Sequence, residues 1–432
     1  HGFDRGAAVY IEGRKASTEL TVPVLLNTDI PSGAMSIPKG SLSLAVGDNI
    51  KLIRPCTLEW INSLAMNDFG GGLDYTGWKK GDIEIEWHRI VTSVTSDSVR
   101  LSAPLTCSIS KEFGGIYVSK FANENIVECG IENLSIQSVF NTHNLKDEDH
   151  CWDGIYVDNA SNSWVRHVNF ANLSGSAVCL QKNTSLITVE DCISTNPISE
   201  IGGWRRRTFT TRGQQCLFQR CLSRQGINDF SVGYCAAGPN AFVQCDTEES
   251  FGFSGSVGSW APGVLFDIVN IDRGDIRFAN LEQFQMGTGW NTANSMAWQC
   301  TASTIYLYSP DTLNCSSGHG CWGTLTGNAH WTSSNDHVSP RSLFYHQLAS
   351  RLADKNIDGH LLPRDVNATS SPTVEQAMTL AQESLSTPRL TLAMWIDSLQ
   401  QISTDVPSTA KSFKDVVALL SRSTGKKSKA AT

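Results

Sequence analysis

The strongest constraint on this chain is a short segment that recurs through its middle. Val189-Glu-Asp-Cys-Ile-Ser194, Phe218-Gln-Arg-Cys-Leu-Ser223, Phe242-Val-Gln-Cys-Asp-Thr247 and Ala297-Trp-Gln-Cys-Thr-Ala302 each place a cysteine at one fixed point of a strand-like stretch. Degenerate copies lie at 131–136, 165–170 and 265–268, and the steps from Val168 onward are 24, 29, 24, 23 and 32 residues. A period of this length built from strands and turns predicts a solenoid, whereas helical repeats of similar length would carry 3.6-residue periodicity. The fold class expected is therefore all-β, a right-handed parallel β-helix whose equivalent residues stack at about 4.8 Å. Cys192, Cys221, Cys245 and Cys300 would form an inward column of small apolar side chains. Such a column argues against all thirteen cysteines, an odd number, forming disulfides.

The flanks read differently. Residues 1–22 are assigned to the first coils, 23–115 to a small β-rich insertion, 116–339 to the β-helix proper, and 340–432 to a helical C-terminal segment. Gly-rich 65–82, with Trp78, reads as an exposed loop. Helical spacing appears at 340–352, 372–386, 389–402 and 410–422, ahead of a frayed tail, and these helices are expected to cap the solenoid's open edge.

Composition narrows the functional classes. The chain has 432 residues, 40% of them apolar, enough for a packed core. A net charge of −8 gives no basic face for nucleic acid, and no stretch approaches 18 uninterrupted apolar residues, so no membrane span is expected. The chain opens on His1 without a leader-like segment and reads as processed or excerpted, so an export signal is not testable. Candidate glycosylation sequons sit at Asn133, Asn159, Asn172, Asn183, Asn314 and Asn367, about as many as chance supplies. Cys315 and Cys321 bracket a short loop and are a candidate disulfide, or else free thiols; His319 between them leaves a zinc site one ligand short.

Stacked coils allow an alignment by counting. Eight residues past the column fall Ser176, Glu200, Asp229 and Phe253, so Glu200 and Asp229 become neighbours whose carboxyls would stand about 5 Å apart, the spacing of retaining glycoside hydrolysis. Two close carboxylates separate their pKa values and supply an acid and a base at one pH. The bland alternative is a pair of solvated turn carboxylates. Arg205 and Arg206 follow on the same coil, to hold a sugar carboxylate or to neutralise that pair. The run Asp147-Glu-Asp-His-Cys-Trp-Asp153 brings His150 and Asp153 to the groove. It offers oxygen ligands for calcium but lacks the glycine spacing of a calcium loop, and reads equally as an acidic surface loop. Trp204 is a sugar-stacking candidate among several tryptophans of the repeat region. No cofactor is called for: the chain has no phosphate loop, serine-hydrolase elbow or zinc-protease motif.

The segments Gly130-Ile-Glu-Asn-Leu134, Trp164-Val-Arg-His-Val-Asn-Phe170, Thr188-Val-Glu-Asp-Cys192 and Gly213-Gln-Gln-Cys-Leu-Phe-Gln-Arg-Cys221 resemble the pectate-lyase-like right-handed β-helix superfamily, more narrowly its secreted polysaccharide-utilisation proteins. The resemblance covers residues 1–352. It implies the fold and an extracellular setting; it implies no single reaction, because lyases, hydrolases, epimerases, phage tail spikes and non-catalytic surface proteins share the scaffold. The polygalacturonase set of Asn-Thr-Asp, Asp-Asp and Gly-His-Gly is missing, since Gly318-His-Gly320 stands apart from any Asp-Asp pair, and so is the calcium and arginine set of pectate lyases. No catalytic residue carries over. The expectation is a secreted, carbohydrate-active β-helix protein with a polysaccharide partner, foremost a glycoside hydrolase acting through Glu200 and Asp229. A uronic-acid lyase relying on Arg205 or Arg206 is the second reading, and a non-catalytic structural or adhesive glycoprotein the third.

Overall fold

The computed structural model describes residues 6–14, 17–69, 77–284, 288–352, 360–362, 373–386 and 390–403. Twenty strands, from Ala7–Glu12 to His330–Thr332, join in one parallel sheet wound as a right-handed β-helix.

The cysteine column explains the repeat. Ile193 pairs with Leu222, Leu222 with Asp246, Cys245 with Val269, Asn270 with Thr301 and Thr301 with Trp322. That register stacks Cys192, Cys221, Cys245, Val269, Cys300 and Cys321 in a buried column. The fourth member is Val269 and not its neighbour Ile268, because Ile268 occupies the turn. The residue ahead of each column position is left-handed: φ is +55° at Asp191, +50° at Arg220, +52° at Gln244, +60° at Ile268 and +51° at Gln299. This corner swings the chain from one strand into the next, and a small side chain then fits inside it. The thiol also donates to the carbonyl two residues back, as Cys221 Sγ does to Gln219 O and Cys245 Sγ to Val243 O, both at 3.5 Å. Burial pushes the Cys221 and Cys245 thiols well above their ordinary range, so they remain protonated donors.

Phenylalanines fill the interior beside the thiols. Phe209 stacks on Phe230 at 5.7 Å and Phe218 on Phe242 at 4.8 Å, each pair in register on adjacent coils. All four are fully buried, each contributing roughly 1.5–3 kcal/mol by burial.

A second, seven-stranded sheet of antiparallel pairs runs from Thr18–Glu19 to Ile116–Ala122, somewhat beyond the expected 23–115 on both sides. It packs on the coils through aromatic and cationic anchors. Trp87 Nε1 donates to Ala237 O at 3.0 Å, and buried Arg89 donates to Gln214 Oε1 at 2.7 Å and Gly238 O at 3.0 Å. Trp78 is no loop tip: it is buried, stacks on Trp60 at 5.5 Å and bonds Thr288 O. Residues 70–76 of the expected loop lie outside the described residues.

Three helices follow the solenoid: α1 (Leu343–Leu352), α2 (Val374–Ser386) and α3 (Leu392–Ser403). The expected helix at 410–422 lies outside the described residues. The segment lies along the flank of the coils, clasped by the corner residues. Gln299 Nε2 donates to Pro340 O and Arg341 O, Asp267 Oδ2 accepts from Ser342 Oγ and Phe344 N, and Arg220 Nη1 donates to Tyr345 Oη. Gln244 bonds both His360 O and Leu362 N. Farther on, Leu392 and Ile396 bury against Leu222 and Ile193. Burial pushes the Asp267 carboxyl up to about 6, against the two hydrogen bonds that lower it.

The Cys315–Cys321 disulfide does not form. Both are free thiols: the intervening strand Ser317–His319 carries Cys321 into the inner column and leaves Cys315 exposed, bonded to Asp311 O and Thr312 O.

Candidate functional site

The residues singled out by counting do not converge. Between Ile193–Thr195 and Phe209–Thr211 the chain makes a thirteen-residue excursion, 196–208; the next coil uses only five residues, 225–229, for the same corner. Phe209 pairs with Phe230, so the stacked neighbour of Asp229 is Thr208 and not Glu200. Glu200 is exposed on the excursion and bonds Lys146 Nζ at 2.9 Å. Asp229 is sealed inside, accepting from Ser223 Oγ at 2.5 Å and Ser250 Oγ at 2.6 Å. Burial raises its pKa while those hydroxyls oppose the rise. The two carboxylates therefore have different surroundings and are no acid–base pair.

The other candidates are held by the protein itself. Arg205 grips Glu148 through Nε and, at 2.9 Å, Nη2. Buried Arg206 ties the excursion shut, donating to Ser199 O at 2.8 Å and Ser199 Oγ at 3.1 Å. Both ring nitrogens of His150 are engaged, Nδ1 with Ser138 Oγ at 2.9 Å and Nε2 with Ile198 O at 3.1 Å. Asp153 is buried and accepts from Ser176 N at 2.7 Å. In the acidic run, Asp147 takes backbone N–H groups of Asn141 and Asp149, the Asn141 bond lowering its pKa most, so it braces its own loop. Trp204 alone is open, 47% exposed and stacked at 6.3 Å on Tyr234. Among the sequons, Asn314 has no room for a glycan: its side chain is buried and its amide nitrogen donates to Asp311. Asn133 is exposed, Asn159, Asn172 and Asn183 are half-buried, and Asn367 lies outside the described residues.

A cleft lies instead farther along the solenoid. Ser231, Gly255, Arg277 and Tyr306 follow one another in register, and Phe253 pairs with Asp275 beside them. Gly255 has φ +137°, and a Cβ there would lie 2.4 Å from Arg277 O, so only glycine lets these coils meet. Arg277 divides two concavities. One of about 650 Å³ is lined by Phe251, Phe253, Asp275 and Phe284; the other, of about 320 Å³, by Trp290, Tyr306 and Tyr308. The Arg277 guanidinium stands 5.1 Å from the ring centroids of both Phe253 and Tyr306. Its Nη2 donates to Asp275 Oδ2 at 2.7 Å, while Nε has no partner. Aromatic faces, a fork of donors and one carboxylate acceptor suit a polyhydroxylated ring, whose C–H faces stack while its hydroxyls bond. Counting missed Arg277 because the column was set at Ile268 and not at Val269, eight residues ahead of it, and missed Tyr306 because a bulge between Ile271 and Asp275 shifts this coil against the next. The signal that could have found them is the alternation shared by Asp275-Ile-Arg-Phe278 and Thr304-Ile-Tyr-Leu307.

Residues 329–432 match a family described as a domain of unknown function (DUF6298). No curated protein matches the chain. Among solved structures it is similar to the tailspike protein gp49 of Pseudomonas phage LKA1 (10% identity, TM-score 0.32, 76% of this chain and 63% of that one). It is also similar to the Gp54 tailspike of Acinetobacter baumannii bacteriophage AP22, solved with a capsular saccharide (9%, 0.30, 77% and 64%). A third is the tailspike gp61 of Pseudomonas phage phi297 (12%, 0.30, 78% and 62%). The chain thus spans less than two thirds of the length of each.

Proposed function

We propose that this β-helix binds a polysaccharide outside the cell, laying a sugar chain along the cleft on either side of Arg277. The observation that carries the reading is the half-exposed Arg277 guanidinium set between Phe253 and Tyr306, with Asp275 bonded to its Nη2. Arg277 is half-exposed between the two concavities, so the guanidinium and the rings beside it are open to a ligand, and among its donors only Nη2 is tied to the neighbouring carboxylate. The reading stops at binding. Hydrolysis through Glu200 and Asp229 finds no support, because one bonds Lys146 and the other is sealed. A lyase built on Arg205 or Arg206 would need cations already tied to Glu148 and Ser199.

Affinity electrophoresis of the full chain against plant, algal and microbial polysaccharides tests this. Tyr306→Ala is expected to weaken retention about tenfold, the equivalent of about 1.4 kcal/mol, with the melting temperature unchanged. Retention that survives both Tyr306→Ala and Arg277→Gln would move binding away from this cleft. Reducing ends and ultraviolet-absorbing products read in the same incubations report any cleavage.

A further inference from the structure

A second arginine has free donors, and its surroundings say more about the ligand. Arg207 is buried, 6% exposed, in a chain of net charge −8. Its Nη1 donates to Tyr234 Oη at 2.8 Å, but Nε and Nη2 have no partner. The guanidinium carbon lies 4.8 Å from the Trp204 ring and 5.8 Å from the Tyr234 ring; Arg212 stands over the same Tyr234 ring at 4.1 Å. Among the described residues neither Arg207 nor Arg212 forms an ion pair. Other arginines of the coils do: Arg205 with Glu148, Arg220 with Asp191, Arg224 with Glu248. A buried cation is ordinarily paired, since leaving water strips it of the hydration that stabilises its charge. Two unpaired cations sharing one tyrosine therefore leave a place for an anion.

The position of that place links it to the cleft. Trp204 covers Arg207 from the excursion 196–208, and its neighbour Gly203 lines the larger concavity. We infer that Arg207 and Arg212 form an oxyanion subsite at the end of the cleft, with Trp204 as its movable cover, and that the saccharide carries a carboxylate or sulfate substituent. Nε and Nη2 of Arg207 lie on one edge of the guanidinium and bind such a group as a fork. The exposed indole stacks on the ring that bears it. The inference rests on the saccharide-binding reading and deepens it.

The full chain labelled with 5-fluorotryptophan tests it, with the Trp204 ¹⁹F resonance assigned through Trp204→Phe. Three monosaccharides that differ only at C6 are titrated: galactose, galacturonate and galactose 6-sulfate. The expected result is that one or both anions shift the Trp204 resonance, galactose does not, and Arg207→Gln weakens the response 10- to 100-fold, as loss of a charge-assisted pair predicts. Which anion acts separates carboxylate from sulfate. Arg212→Gln, expected to weaken the response several-fold, keeps the test open if Arg207→Gln does not fold. Equal shifts from all three sugars would overturn the oxyanion subsite and leave the cleft reading intact. A still Trp204 resonance with polysaccharide retention preserved would do the same. Loss of every glycan interaction, polysaccharides included, would sink both.

Discussion

Two flanks of the same solenoid treat their arginines in opposite ways. On the corner flank Arg220 is enclosed by partners: Asp191 through both its Nε and Nη2, Glu190, and the Tyr345 hydroxyl of the C-terminal segment. On the cleft flank Arg207 and Arg277 keep donors to spare. The fold is common to both, so fold alone does not make the difference. A saturated cation holds protein to protein; an unsaturated one is poised for something that is not protein.

The comparison can be broken most forcefully at Arg220. Arg220→Met leaves buried Asp191 without its guanidinium, with His167 Nε2 at 3.3 Å beside it, while Glu190 keeps Arg166 at 3.6 Å; a loss of about 3 kcal/mol is expected, the low end for breaking a buried pair from one side. Denaturant unfolding measures it; a loss as small as that of a surface pair would make this flank no different from the cleft. Saccharide retention at temperatures where the variant is folded should be unaffected.

Asp267 sharpens the contrast through pH. Its folded pKa, about 6, lies above the ordinary carboxylate value. Its contribution is therefore complete below about pH 4 and lost as pH rises through about 6. Relative to Asp267→Asn, the wild type should lose up to about 3 kcal/mol across that window, two pKa units at about 1.4 kcal/mol each. Parallel melting curves of the two proteins from pH 4 to pH 7 would contradict this.

The smallest effect belongs to Glu200. Its exposed pair with Lys146 contributes at most about 1 kcal/mol, so Glu200→Gln should alter neither melting nor polysaccharide retention. Abolished retention would return this carboxylate to the site.

The column was legible in the sequence because one physical demand, a small side chain after a left-handed corner, recurs at every coil. Cys192, Cys221, Cys245 and Cys300 meet it identically, and Cys321 obeys it too, although its closeness to Cys315 suggested a disulfide. The outward rows were not legible by counting. Corners tolerate insertions, and the eight residues separating 196–208 from 225–229 in length moved Glu200 out of the row of Asp229. Trp78 misled for another reason: a glycine-rich neighbourhood suggests exposure, but the second sheet brings a tryptophan from the coils, Trp260, to meet it at 6.1 Å. Arg207 and Arg277 could not be told from their neighbours by residue type, since what distinguishes them is their placement among the aromatic rings at the cleft and its cover.

The clasps on the C-terminal segment have a consequence for how such a protein can change in length. Solenoids ordinarily gain or lose repeats with little penalty, because each coil touches only its neighbours. Here Gln299, Asp267, Gln244 and Arg220 lie on different coils, and each holds a different point of one continuous chain. The held points pass from Pro340 beside Gln299, through Ser342 and Phe344 beside Asp267, to Tyr345 beside Arg220, and residues 360–362 are held beside Gln244 on the coil between the last two. Removing one coil between 192 and 300 would leave every clasp beyond it about 4.8 Å from its partner. The number of coils is thus counted by the tail that follows them.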